Sequence, residues 1–246
     1  MRNTELWKQN RFNKDSKGRI IGTHMHKIIG HAYEKIIKIH ASGILVDVGC
    51  GDVPYYYIYK DIVTDNICID WESADTVKFL DHVVDLNNGI IPLNSNSADT
   101  VLCTDVLEHI SNPESLFSEM TRVLNINGKL ILTVPFMYWI HTAPHDYHRY
   151  TKFKLQDFCN KNGLDVLSLE EYGGLPEIIY DLIWKGYYYY NFPFKRIFLF
   201  ILRILGRFLY NRKVVKKITL QTKEFFPLGY ILVAQKKQNK YKDGSI

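Results

Sequence analysis

The sequence predicts an α/β protein: a three-layer sandwich built on a seven-stranded, mostly parallel sheet. Three observations predict it. Short apolar runs suited to buried parallel strands alternate with segments of helical period. Successive runs end at an aspartate, at Asp70, Asp85 and Asp105, placing carboxylates at the strand ends where such sheets bind ligands. The chain has 246 residues, 46% of them hydrophobic and 23% charged, which fits one globular domain and excludes a disordered or low-complexity chain.

The elements follow in order. Residues 26–40 carry Ile29, Tyr33, Ile36, Ile37 and His40 at three- and four-residue steps, a helix that Gly43 follows. Strands are expected at 44–48, 66–70, 81–85 and 100–103. Asn112-Pro113-Glu114 marks a helix start, with Asn as N-cap, Pro at the first position and Glu at the positive end of the dipole. Leu116, Met120, Val123 and Leu124 form its apolar stripe. Asn127-Gly128 turns the chain into a fifth strand at 129–135. A short helix at 155–162 ends at Gly163, a sixth strand covers 164–169 and a seventh 229–235. One domain, 1–246, is expected, with a core of 24–173 plus 229–236 and an insertion of 174–228, much longer than the usual connection.

Charge and cysteines bound the setting. The first ten residues hold no apolar run, no uncharged stretch reaches the ~18 residues of a membrane-spanning helix, and Cys50, Cys68, Cys103 and Cys159 form no C-x-x-C pair. A cytoplasmic protein without disulfides or zinc is expected. Net charge is +5, yet ten Lys or Arg and no Asp or Glu fall between Leu182 and Lys223, so a basic segment rides on a mildly acidic body. That asymmetry calls for an anionic partner.

The strongest local signal is Val46-Asp47-Val48-Gly49-Cys50-Gly51-Asp52. A strand enters a Gly-x-Gly turn that lets backbone approach a ligand. Pro54 stands where a dinucleotide fingerprint wants a third Gly, which argues against a nicotinamide-dependent dehydrogenase, and the Gly-Lys-Ser/Thr of a phosphate cradle is absent. With Asp70 following 19 residues after Gly51, the pattern suits a nucleoside held without a pyrophosphate, one carboxylate accepting from both ribose hydroxyls. The plainer alternative is a tight turn with solubilising aspartates.

Taken together, V-D-V-G-C-G-D-V-P-Y, I-C-I-D-W, V-V-D-L, S-A-D-T-V-L-C-T-D-V-L-E-H-I and R-V-L-N-I-N-G-K-L-I-L-T-V-P-F resemble the class I S-adenosylmethionine-dependent methyltransferases, and among them the type 11 group, over residues 44–169. The resemblance implies a Rossmann-like methyltransferase fold, S-adenosyl-L-methionine as cofactor, and methyl transfer. It implies that Gly49, Cys50 and Gly51 line the methionine portion, that Asp70 takes the ribose hydroxyls and Trp71 packs beside adenine. Asp85 and Leu86 would meet the adenine edge, Thr104 and Asp105 the methionine end, and Asp47 would order the Gly turn.

After the fifth strand comes Ala143-Pro144-His145-Asp146-Tyr147-His148-Arg149-Tyr150-Thr151, similar to an element of some type 11 proteins near glycan biosynthesis genes. His145 is the candidate general base, oriented by Asp146 or Asp105, and Arg149 either binds an acidic acceptor group or pairs with Asp146. Bracing of the loop by these same residues is the competing reading. His109 either lies under the cofactor or packs a helix start. His141, His145, Asp146 and His148 show no recognised ligand spacing, so no metal is expected.

Within the insertion, Tyr187–Tyr190 and Phe192-Pro193-Phe194 precede an apolar helix expected at 195–212. Arg196, Arg203 and Arg207 fall within an arc of about 40° at 100° per residue. Such a helix suits the anionic inner membrane face, with Lys213, Lys216 and Lys217 nearby. A packed lid and a homodimer interface are the alternatives. Nucleic acid is disfavoured because no aromatic stacking pattern accompanies the basic residues. The expected function is methylation of a small-molecule or saccharide acceptor, in cell-surface glycan biosynthesis at the membrane. The rival is a non-catalytic cofactor-binding scaffold of a membrane complex.

Overall fold

A computed structural model describes residues 24–71, 80–189, 193–209 and 212–238. The first ten residues, Tyr190, Phe192 and the Arg207 side chain lie outside the described residues. Seven strands form one sheet: β1 (Ile44–Val48), β2 (Asp65–Asp70), β3 (His82–Val83), β4 (Ala98–Thr104), β5 (Leu124–Pro135), β6 (Leu164–Tyr172) and β7 (Gly229–Lys236). Their spatial order is β3-β2-β1-β4-β5-β7-β6, with β7 antiparallel to both neighbours and the other pairs parallel. The fold class is the expected one. Chain order reverses at β1, which lies between β2 and β4, and a crevice opens beyond the strand ends at such a switch point.

The helices cover both faces of the sheet. Against one face pack α1 (His24–His40), the single turn α2 (Tyr56–Tyr59) and α5 (Leu175–Tyr189), through Tyr33, Ile37, Tyr59 and Ile178. Against the other lie α3 (Pro113–Val123) and α4 (Lys152–Lys161), through Leu116, Phe117, Met120, Leu155 and Phe158. The insertion holds α5, then α6 (Lys195–Leu209) and α7 (Lys213–Thr222). All four cysteines are buried free thiols.

Several elements differ from expectation, each for a local reason. The third strand shrinks to His82–Val83, with the Asp81 amide on Cys68 and the Val84 amide on Asp70 still tying its ends to β2. Asp81 accepts from the Cys68 amide at 2.8 Å, and Asp85 caps a short 3-10 turn by accepting from the Asn87 amide at 3.0 Å. Asn112 precedes α3, but its side chain makes no cap hydrogen bond. Leu124, expected on the helical stripe, is the first residue of β5 and pairs with Ala98. The turn at Asn127, φ 66°, shifts the register before Lys129 pairs with Thr100. The helix expected at 195–212 ends at Leu209, and Arg212 instead precedes α7.

Candidate active site

The Gly turn after β1 is built from both sides. Gly49 has φ 71°, and a Cβ there would stand 2.3 Å from Val106 Cγ2, so only glycine fits. Asp70, at the end of β2, accepts from the amides of Gly51 and Trp71, each at 2.7 Å. Burial raises the Asp70 pKa, while these two amides hold it down. Asp47 is buried and accepts from Tyr59 Oη at 2.9 Å, tying the turn to α2.

Beyond the strand ends lies a cavity of about 620 Å³. Gly49, Asp70, Trp71, Asp85, Leu86 and Asp105, all expected from the sequence, line it. Asp47, Cys50, Gly51 and Thr104, also expected there, are not among the residues that line it. Asn87, Val106, His109, Ile110 and Thr142 also line it, and sequence reasoning had named only His109 among them. The signal for Asn87 was its place beside Asp85, which caps the turn that holds it; Thr142 sits on a loop without a periodic signature.

Asp105 stands at φ 53°, a conformation that strains a non-glycine residue. Its carboxylate accepts from Tyr33 Oη at 2.8 and 2.9 Å and from Thr133 Oγ1 at 3.2 Å, and its amide donates to the Thr133 carbonyl. Burial raises its pKa, partly offset by those hydroxyl donors.

The loop from Phe136 to Tyr150 forms the far wall. Arg149 Nη1 and Nη2 grip Asp146 Oδ1 and Oδ2 at 2.6 and 2.9 Å. Asp146 also accepts from the His141 amide at 2.8 Å, and Arg149 donates to the Trp139 carbonyl at 2.9 Å. The Arg149 guanidinium lowers the Asp146 pKa to about 2. Tyr147 and Tyr150 tie the loop to the carbonyls of Glu108 and Leu107 at 2.9 and 3.0 Å. These contacts brace the loop. His145 takes no part in that ion pair: its ring meets Trp71 edge-on at 5.3 Å, its Nδ1 lies 3.2 Å from Tyr147 Oη, and it lines the cavity.

A second, larger cavity of about 1550 Å³ opens behind the first. Tyr138, Trp139, Trp184, Tyr188 and Tyr189 give it aromatic walls, and Lys185 pairs with Asp181 among them. Lys185 Nζ sits 3.3 Å from the centroid of the Tyr138 ring, and burial lowers its pKa. Asp105, His109 and Thr142 line both cavities and so form the passage between them.

The first cavity fits a nucleoside. Among the described residues its lining has carboxylates for hydroxyls and amines, apolar Leu86 and Ile110 for a ring, and no Lys or Arg for a phosphate.

Comparison with known proteins agrees. Residues 46–132 match a family described as "Methyltransferase domain". An uncharacterized protein of Methanocaldococcus jannaschii is 33% identical over 91 residues, 37% of this chain; the match spans 40% of that protein's length. Among solved structures, a SAM-dependent methyltransferase of Archaeoglobus fulgidus superposes with a TM-score of 0.56 at 15% identity, covering 86% of this chain and 94% of that one. The [4+2]-cyclase SpnF superposes at 0.54 with 17% identity, covering 92% and 85%. At such identities these two establish the fold alone. Residues 46–132 thus match the methyltransferase-domain family, and the strand-end geometry of the fold is in keeping with that match.

Proposed function

We propose that the chain is an S-adenosylmethionine-dependent methyltransferase whose acceptor, a saccharide or small molecule, binds in the aromatic cavity beside the anionic inner face of a membrane. The observation that carries the reading is the meeting of a carboxylate-lined cavity and an aromatic-walled one at Asp105, His109 and Thr142.

The cofactor, when bound, supplies a methyl group on a positively charged sulfur. Asp70 and Asp85 would hold its ribose and adenine, Trp71 and Leu86 would pack on its rings, and Gly49 and Gly51 would leave room for its amino-acid end. Asp105 at the passage is placed to hold a cationic group there. Transfer is a direct displacement, so the protein's main contribution is alignment, where effects of ~7–11 kcal/mol are available. His145, free of the Asp146–Arg149 pair, is the proposed acceptor of the proton that a hydroxyl or amine must lose. Asp146 and Arg149 act by holding the loop that presents it. The aromatic walls suit the C–H faces of a sugar, and Asp181 and Lys185 suit its hydroxyls.

Support for the membrane lies on α6. Ile197, Phe200, Ile201, Ile204 and Phe208 form an exposed apolar stripe, flanked by exposed Arg196 and Arg203, with Lys213, Lys216 and Lys217 exposed on α7. Among the described residues no helix is long and apolar enough to cross a membrane.

The test is thermal. S-adenosylhomocysteine at one hundred times its Kd stabilises by ~2.7 kcal/mol and raises Tm, whereas NAD does not. Asp70→Ala removes most of the shift. No shift with millimolar S-adenosylhomocysteine overturns the cofactor assignment. Mass spectrometry of products from a panel of soluble and lipid-linked glycans identifies the acceptor; intact cofactor binding with no product from any acceptor supports the scaffold reading instead.

A further inference from the structure

At the floor of the aromatic cavity three side chains converge: Glu108, His109 and His141. Glu108 is fully buried, and neither carboxylate oxygen has a hydrogen-bond partner. An ionised carboxylate in that state is strongly disfavoured unless a charge or donor meets it.

Neither neighbouring imidazole lies within hydrogen-bond distance of that carboxylate. His109 Nδ1 bonds the His145 carbonyl, which can only accept, so Nδ1 carries the hydrogen and Nε2 is a bare lone pair. That Nε2 faces Glu108 Oε1 at 3.6 Å. His141 Nε2 lies 3.8 Å from the same Glu108 oxygen, and its buried Nδ1, which makes no hydrogen bond, lies 3.3 Å from Asp146 Oδ2. Three potential ligand atoms thus face one another, all within 4.8 Å and with the imidazole nitrogens beyond hydrogen-bond reach of the carboxylate. Around a tetrahedral ion with bonds of ~2.1 Å, ligand atoms stand about 3.4 Å apart, so small side-chain movements close the set. His109 also has the outer partner that metal-bound imidazoles need, the His145 carbonyl, and Asp146 Oδ2 stands 3.3 Å from His141 Nδ1, close enough to become one.

We infer that Glu108, His109 and His141 bind a divalent transition-metal cation whose open coordination positions face the acceptor cavity. Two imidazoles and one carboxylate select zinc, manganese or iron over magnesium. The ligand set escaped the spacing argument because it joins Glu108-His109, just after β4, to His141 on a loop 32 residues later, and uses neither His145 nor His148.

Its consequence rests on the methyl-transfer reading. A metal-held acceptor hydroxyl loses its proton to His145 more readily. Its oxygen then bonds the methyl carbon as the carbon–sulfur bond breaks, the electron pair staying on sulfur to give the neutral thioether.

The experiment uses the full chain, freed of any affinity tag, stripped with a chelator and desalted. Zn2+, Mn2+, Co2+ and Mg2+ are titrated separately by calorimetry, with Co2+ followed by its visible absorption. One equivalent of a transition metal is expected, together with a Tm rise and Co2+ bands typical of nitrogen and oxygen ligands. Glu108→Gln and His141→Ala should each weaken binding at least tenfold. His141, with a side chain 22% exposed, is the variant chosen to keep the fold, and its S-adenosylhomocysteine shift should persist. Absence of stoichiometric binding by wild type that still shows that shift overturns the proposal, as does binding equally tight in His141→Ala. Loss of the S-adenosylhomocysteine shift in wild type strikes the cofactor reading alone, since metal binding is measured without it.

Discussion

Helices α3 and α6 carry similar apolar stripes and treat them oppositely. On α3, Leu116, Phe117, Met120 and Val123 are completely buried against the sheet. On α6, Ile197, Phe200, Ile201, Ile204 and Phe208 are between 48% and 64% exposed. The half-buried side of α6 is a different one, formed by Phe198, Leu199 and Leu202, with Gly206 against Tyr180. Apolar residues therefore occupy two faces of α6, and only one meets the body. A stripe reports that a face is apolar; its neighbours decide whether anything in the same chain covers it.

The largest test of this contrast is truncation on each stripe. Phe117→Ala leaves a cavity between α3 and α4, where Phe117 stacks on Phe158 at 5.1 Å, and should cost ~3–5 kcal/mol in urea unfolding. Phe200→Ala should change stability by less than ~0.5 kcal/mol, as exposed positions do. Similar losses at both positions would mean that α6 is covered in solution, as in a homodimer, and sedimentation would show it.

The membrane reading sharpens the contrast at the next scale. The protein should pellet with vesicles containing anionic lipid, and less with neutral ones or at raised salt. Each basic side chain contributes about 1 kcal/mol, so Arg196→Gln with Arg203→Gln should weaken partitioning roughly thirtyfold. A monodisperse wild type that ignores vesicles at every salt concentration would point to a packed lid, and the double variant would then lose acceptor affinity instead.

The polar side of α3 supplies the smallest effect. Arg122 grips Glu119 at 2.6 Å and donates to the carbonyls of Ile91 and Leu93, and its hydrogen bond lowers the Glu119 pKa. A lowered carboxyl stabilises fully above its unfolded value of about 4.3, and that stabilisation fades as pH falls through the lower folded value. Glu119→Gln should therefore lower Tm slightly at pH 7, and the gap to wild type should close toward pH 3. A gap that widens on acidification would refute the sign.

Much of the site was legible because its residues are local to strand ends. Gly49 must be glycine to clear Val106, and Asp70 and Asp85 follow apolar runs directly, so periodicity and one turn placed them. The loop was legible as a motif but not as a division of labour. Asp146 could have oriented His145; in the fold it meets Arg149 and the His141 amide, leaving His145 to the cavity. Such choices turn on ångström distances between residues whose spacing along the chain says nothing of them.

The sequence by itself determined the alternation of strands and helices, the Gly-x-Gly turn and the row of strand-end carboxylates, because each depends on backbone preference and burial within a few residues. Tertiary structure alone decided three things: that Asp105, His109 and Thr142 join two cavities, that Glu108 faces two imidazoles, and that α6 keeps an apolar face uncovered. The physical reason is common to all three. Burial, pairing and convergence are properties of contacts between distant segments, and those contacts exist only once the sheet has brought β4, the 136–150 loop and the insertion to one edge.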